Sequence, residues 1–188
     1  MRLLPGTDSQ RVPWRNGGGF TREFVREPTA DEQFHWRVSV AEVADDGPFS
    51  SFDGYDRILV LLGGEGMDLY FSETQETVHL RSLFDVVSFA GEPAVRASLL
   101  DGPTTDLNLI WLRSDRRATA TVCVVEAAMG WGGHPAETVV AYVAGGSLSA
   151  ASQFVAMPGD VVVGDPGERV SLSGPGTAIV LTIATLRH

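Results

Sequence analysis

Val60-Leu61-Leu62-Gly63-Gly64 is echoed by Ala141-Tyr142-Val143-Ala144-Gly145-Gly146, with Gly63 and Gly145 82 residues apart. A second echo sets Phe84-Asp85-Val86-Val87-Ser88-Phe89-Ala90-Gly91 against Phe154-Val155-Ala156-Met157-Pro158-Gly159-Asp160. Each half closes on Leu-Arg, at Trp111-Leu112-Arg113 and Thr185-Leu186-Arg187. Self-similarity at a fixed spacing marks a duplicated structural unit. The polar stretch Ser114-Asp115-Arg116-Arg117 reads as the linker. The expected organisation is a first unit over residues 1–113 and a second over 119–188.

The units are built of strands. Amphipathic helix patterns are scarce, whereas short apolar runs alternate with Gly, Pro and Asp at close intervals. Trp36, Val38 and Val40 fall on one face of a strand, with Arg37, Ser39 and Ala41 on the other. Arg57–Leu62 is apolar on both faces after its first residue, the mark of a central, covered strand. Further strands are expected at Met67–Phe71, Val78–Leu80, Asp85–Phe89, Val95–Leu100 and Leu107–Arg113. In the second half they are expected at Thr119–Val125, Val139–Val143, Gln153–Met157, Asp160–Val163, Val170–Leu172 and Ala178–Ile183. Many short strands with turn signals between them predict an all-β barrel or sandwich.

Composition excludes several functions. A net charge of −10 gives no basic face for nucleic acid or for an anionic membrane. With 44% hydrophobic residues the chain is not disordered. The lone Cys123 sits in the apolar run Val122-Cys123-Val124-Val125, so it builds neither a disulfide framework nor a thiolate metal site. All fourteen basic residues are arginine, which rules out a lysine Schiff base and a lysine-dependent phosphate loop. Met1-Arg2-Leu3-Leu4-Pro5-Gly6 is broken too early for a secretory leader, and no apolar run reaches the ~20 residues of a membrane span. The expectation is a cytoplasmic protein.

The block Pro13-Trp14-Arg15-Asn16-Gly17-Gly18-Gly19-Phe20-Thr21-Arg22-Glu23 is the most unusual in composition. Three glycines offer positive φ and exposed backbone N–H groups between two arginines, a corner suited to a small anion such as a carboxylate. It lacks both the lysine of a phosphate loop and the spacing of a dinucleotide turn. Its plainer reading is a tight loop leading into a first strand.

Three more blocks follow in order: Phe34-His35-Trp36-Arg37-Val38-Ser39-Val40-Ala41, Gly47-Pro48-Phe49-Ser50-Ser51-Phe52 leading to Asp56-Arg57, and Asp101-Gly102-Pro103 leading to Asp106-Leu107-Asn108. Together these blocks resemble the HutD/Ves family over residues 1–113. The second half resembles it only through a cupin-like half-pattern ending in Pro158-Gly159-Asp160. The resemblance implies a bicupin, two related units of the RmlC-like jelly roll. It also implies a link to histidine utilisation through binding of a small acidic metabolite such as formylglutamate, in a regulatory or accessory role. The family has no firmly assigned reaction, and some members are named for a stress response.

The residues themselves point to a binding site more than to catalysis. A cupin metal site needs His-x-His and a Glu converging in one barrel. Here His35, His79, His134 and His188 are scattered, and His134 with Glu137 reads as a plain loop. No metal or other cofactor is therefore expected. Arg57, with Arg37 or Arg22, is expected to pair with a ligand carboxylate. Asn16 and Asn108 would give amide hydrogen bonds, and the backbone of Gly17, Gly18 and Gly19 would complete the donors. Trp14, Thr21 and Ser39 join the ligand-binding set. An arginine turned into a barrel is costly without a carboxylate, and Glu23, Glu42, Asp56 and Asp106 are internal candidates for it. Two alternatives stand beside simple binding. One is a metal-free enzyme on the same metabolite class, with Glu23 or His35 moving a proton. The other is a protein-interaction module or stress-related regulator. A homodimer is left open.

Overall fold

Antiparallel pairing carries this fold, because every run of alternating residues finds a neighbour running the other way. The computed structural model describes residues 1–14, 18–31, 33–151 and 153–186. Its strands are β1 (Arg2–Leu4), β2 (Arg11–Pro13), β3 (Gly19–Pro28), β4 (Phe34–Val43), β5 (Gly47–Pro48), β6 (Tyr55–Gly63), β7 (Met67–Phe71), β8 (Glu76–Leu80), β9 (Val86–Ala90), β10 (Val95–Leu99) and β11 (Thr104–Leu112). They continue as β12 (Arg116–Val125), β13 (Met129–Gly132), β14 (Glu137–Gly146), β15 (Leu148–Ala150), β16 (Phe154–Ala156), β17 (Val161–Gly164), β18 (Arg169–Ser173) and β19 (Gly176–Thr185).

Two units emerge, Gln10–Ser114 and Asp115–His188 joined by Met1–Ser9. The first nine residues thus do not group with residues 10–113, as the sequence reading had them. β1 pairs with β17, Leu3 opposite Val162, and the Gly6 N–H donates to Asp160 Oδ1 at 2.9 Å. The apolar Val161-Val162-Val163 would otherwise present an unpaired edge, and β1 satisfies it.

In the Gln10–Ser114 unit a six-stranded sheet runs β2-β3-β4-β11-β6-β9 and a four-stranded sheet runs β5-β10-β7-β8. Leu59, Leu61, Met67, Leu69 and Leu80 form its apolar core. In the other unit the sheets run β1-β17-β14-β19-β12 and β13-β18-β15-β16. Val139, Ala141, Val143, Val162, Ala178 and Val180 belong to its core, together with the buried Cys123.

The orders superimpose strand for strand: β4-β11-β6-β9 matches β12-β19-β14-β17, and β5-β10-β7-β8 matches β13-β18-β15-β16. The glycine echo marks the same point in both. Thr105 is paired with Gly63 where the β11–β6 register slips, and Thr177 with Gly145 where the β14–β19 register slips. Next to these, Gly64 (φ +90°) backs onto Pro103 and Gly146 (φ +70°) onto Pro175. A Cβ at Gly146 would drive into the Pro175 carbonyl while forcing a left-handed backbone on an L residue. Gly146→Ala is expected to lower stability by about 2–4 kcal/mol, read by urea or thermal unfolding.

The second echo is corrected by five residues. Asp85, not Ala90, is the counterpart of the aspartate in Pro158-Gly159-Asp160. The Asp85 carbonyl accepts the Leu61 N–H at 3.0 Å, and the Asp160 carbonyl accepts the Val143 N–H at 2.9 Å. Asp85 Oδ2 accepts the Ser82 N–H and Asp160 Oδ2 the Met157 N–H, at 2.9 and 2.8 Å. Phe84 and Gly159 take positive φ at the same place. The aspartate turn is what repeats; the two phenylalanines at 84 and 154 coincide only in letter.

Candidate functional site

On the inner face of the six-stranded sheet, beside the apolar Leu59 and Leu61, lies a polar patch where a barrel interior is ordinarily apolar. Cross-strand register puts Ser39 opposite Asn108, Ala41 opposite Asp106, and Ile110 between Arg37 and Arg57. These residues, with Thr21 from β3, turn to the side that faces β5 and β10. There Thr21, Arg37, Ser39, Ala41, Arg57, Asn108 and Ile110 border a cavity of about 450 Å³, completed by Pro48, Phe49, Phe52 and Ala97, with Asp106 buried behind Asn108. That volume suits a small metabolite.

Arg57 is its centre. It is 5% exposed, and its Nη2 donates to Asn108 Oδ1 at 2.6 Å while its Nε has no partner. No carboxylate lies within ion-pair distance of it among the described residues. Its charge rests instead against aromatic faces, 4.7 Å from the Phe49 centroid and 5.1 Å from that of Phe89. Burial pulls its pKa down to about 10, against the opposing pull of Asp106. Asn108 passes the contact inward, donating through Nδ2 to Asp106 Oδ1. Asp106 is wholly buried, its Oδ2 has no hydrogen-bond partner, and burial pushes its pKa up to about 7 although Arg57 and Asn108 act to lower it.

Arg37 is the second guanidinium on the wall. It sits 5.2 Å from the Phe34 centroid and 5.5 Å from that of Phe52, with Glu23 3.9 Å from its Nη1. Burial lowers its pKa and Glu23 counters the effect. Ser39 is 2% exposed on the same wall, and its hydroxyl has no side-chain partner among the described residues. Trp14 borders the cavity too, held by a 2.7 Å hydrogen bond from its Nε1 to Thr21 Oγ1.

Of the residues singled out in the sequence, Trp14, Gly18, Thr21, Arg37, Ser39, Arg57 and Asn108 meet at this cavity. Asn16 and Gly17 lie outside the described residues. Arg22 is a correction: it stands opposite Val40 on the reverse face of the sheet, its Nε 3.4 Å from Glu42 Oε1. Strand alternation decides this, since Thr21 takes the inner position. Gly19 is also a correction. It is paired within β3 opposite Val43, without positive φ and off the cavity wall; its missing side chain lets β3 pass the Glu42 carbonyl and the Trp14 ring. The Gly18 carbonyl accepts the Ala44 N–H at 2.9 Å. Neither Glu23 nor His35, weighed as proton carriers, is on the wall.

Of the internal acids, Glu42 takes Arg11 and Arg22, Asp56 takes Arg113, and Glu23 takes Arg26. Arg57 is left with the indirect link to Asp106. The sequence reading did not place Asp106 in the site, although its period of two with Asn108 was the signal. It also passed over Phe49 and Phe52 as supports for the arginines, and Asp45 and Asp46 at the rim. Among the described residues no three of His, Cys, Asp and Glu gather as a metal would require, and no helix is long and apolar enough to cross a membrane.

The duplicate frame sharpens the contrast. The register that places Arg57, Asp106 and Asn108 in one unit places Val139, Ala178 and Val180 in the other. All three are buried in its apolar core.

Known proteins bear on this frame. A cupin 2 conserved barrel domain protein from Leptotrichia buccalis shares the fold at 10% identity, with a TM-score of 0.58 over 88% of each chain. The fold is thus all-β and cupin, present twice. HutD from Pseudomonas fluorescens SBW25, in a structure described as "Formate condition", aligns at 27% identity and a TM-score of 0.87 over 99% of both chains. An uncharacterized 21.2 kDa protein in the hutC 3' region of Pseudomonas putida is 40% identical over 119 residues, 63% of this chain. That match spans 62% of the length of the P. putida protein. The HutD family model extends further, matching residues 6–181 and so taking in the cavity unit and most of its duplicate: the chain belongs to the HutD family.

Proposed function

We propose that the cavity in the Gln10–Ser114 unit binds a small carboxylated metabolite, with Arg57 as its anchor. The observation that carries this reading is a nearly fully buried guanidinium that, among the described residues, has one side-chain hydrogen bond and no ion pair, and that borders an open cavity. Such a charge is expensive in a protein interior unless an anion meets it. A ligand carboxylate would accept from Arg57 and Ser39, with Arg37 close by for a second acidic group. The apolar Val139, Ala178 and Val180 at the matching places support a dedicated purpose, since the same frame folds without any of these polar groups.

Formylglutamate fits the class. The P. putida relative lies in the hutC 3' region and the P. fluorescens structure is of HutD, which favours an accessory or regulatory place in histidine utilisation. Binding without turnover is the preferred form of this reading, because neither Glu23 nor His35 borders the cavity. Calorimetry with formate, formylglutamate, glutamate and urocanate tests it. Saturable binding of at least one carboxylate, with the ligand recovered unchanged, is the expected result. Folded protein that stays silent across the panel would refute it, and a consumed ligand would replace binding by catalysis.

A further inference from the structure

We propose that Asp106 is a proton-binding residue of this site: a carboxylate docking on Arg57 drives uptake of one proton at Asp106, so the cavity takes an anion and a proton together. The inference rests on the anion-site reading above and adds its chemical coupling.

The geometry is a three-residue chain. Arg57 Nη2 donates to Asn108 Oδ1, and Asn108 Nδ2 donates to Asp106 Oδ1. Asp106 Oδ2 is buried and unpartnered. The residues opposite Asp106 in the sheet are Ala41 of β4 and Leu61 of β6, both apolar. On β7 and β10 of the facing sheet the buried residues are Met67, Leu69, Val95 and Ala97, apolar as well. Arg57 is the charged group that acts on Asp106, and Arg37 in turn acts on Arg57. One guanidinium, with the Asn108 amide, is therefore what opposes protonation of this carboxylate.

A ligand carboxylate on Arg57 brings a second negative charge to the same guanidinium in a low-dielectric interior. Like charges sharing one site push the more buried group to its neutral form. The ligand remains a carboxylate, Arg57 remains a guanidinium, and solvent supplies the proton that turns Asp106 into a carboxylic acid. Asp106 already titrates near neutrality, at about 7, so little is needed to tip it.

The sign follows from linkage. A group that gains a proton on binding makes affinity fall as pH rises through its free-state pKa. Sodium formate is titrated into the full chain by calorimetry from about pH 5.5 to about pH 8.5, in buffers of differing ionisation enthalpy. Affinity is expected to be about tenfold weaker near pH 8 than near pH 6, with a buffer-dependent heat that reports close to one proton taken up above neutrality. Asp106→Asn, neutral and of the same shape, is expected to bind formate equally well across that range with no proton uptake. A carbonyl band of a protonated carboxyl is expected in the infrared difference spectrum of the wild-type protein on adding formate. That band decides the assignment even where the variant folds poorly.

Formate binding with flat affinity, no buffer-dependent heat and no new carbonyl band would overturn the role of Asp106 while leaving the anion site standing. Absence of formate binding at every pH would remove the anion site, and this inference with it.

Discussion

Arg57→Met is expected to abolish carboxylate binding while leaving the protein as stable as before, or more so. The loss should exceed about 100-fold, because truncating one side of a buried charged contact typically costs 2–5 kcal/mol. Stability should move the other way by about 1–3 kcal/mol. The guanidinium is buried and meets no ion pair among the described residues, and burial lowers its pKa to about 10, so the folded state tolerates its charge poorly. That penalty is fully present below about pH 10 and relaxes only as the pH rises through the folded pKa. Methionine keeps the contacts with Phe49 and Phe89 and discards the charge. Asp106, left without its counter-charge, becomes protonated and neutral at pH 7. Calorimetry with formate and a thermal melt on the same sample read both effects. A variant that binds normally would detach Arg57 from the site; one that melts far below the wild type would make it a structural arginine.

The reciprocal change should be ruinous. Val139→Arg places an arginine at the position in the second unit that Arg57 occupies in the first. Val139 is wholly buried in the apolar cluster that includes Ala141, Val162 and Val170. Removing an unpaired cation from water into such a core costs several kcal/mol after relaxation, and the longer side chain overpacks the space as well. A destabilisation of more than about 5 kcal/mol is expected, seen as loss of soluble protein or of the cooperative urea transition. A well-folded Val139→Arg protein would show that the second unit tolerates a polar interior, and the contrast between the units would lose its meaning.

The two variants together ask why a duplicated frame keeps an expensive arginine in one copy only. Stability alone favours the apolar set Val139, Ala178 and Val180, which the second unit has. The polar set Arg57, Asp106 and Asn108 is a departure from good core chemistry, and such departures are where function is sought.

Much of this was legible in residues alone. Alternation in Trp36–Ala41 put Arg37 and Ser39 on one face, and both border the cavity. The apolar run after Arg57 marked a central strand, and β6 lies between β11 and β9. The glycine echo located the same bulge in both units. Some short strands, such as β17 and β18, were legible, but β1, β5, β13 and β15 were not. Met129-Gly130-Trp131-Gly132 forms β13 because β18 pairs with it, with little local preference of its own. β1 was likewise invisible as a partner of β17, since pairing across more than 150 residues leaves no local trace.

The order of side chains along each strand determined, by itself, the all-β fold and its duplication, because period-two patterning and turn residues are local properties that need no partner to be read; the family was legible only as a resemblance carried by the motif blocks from Pro13 to Asn108. Tertiary structure alone decided that the buried Arg57 is left without an acid in ion-pair contact among the described residues. Glu42 and Asp56 were claimed by Arg22 and Arg113, whereas Asp106 reached Arg57 only through Asn108. Ion pairing depends on distances across strands, and those distances exist only once the sheet has closed.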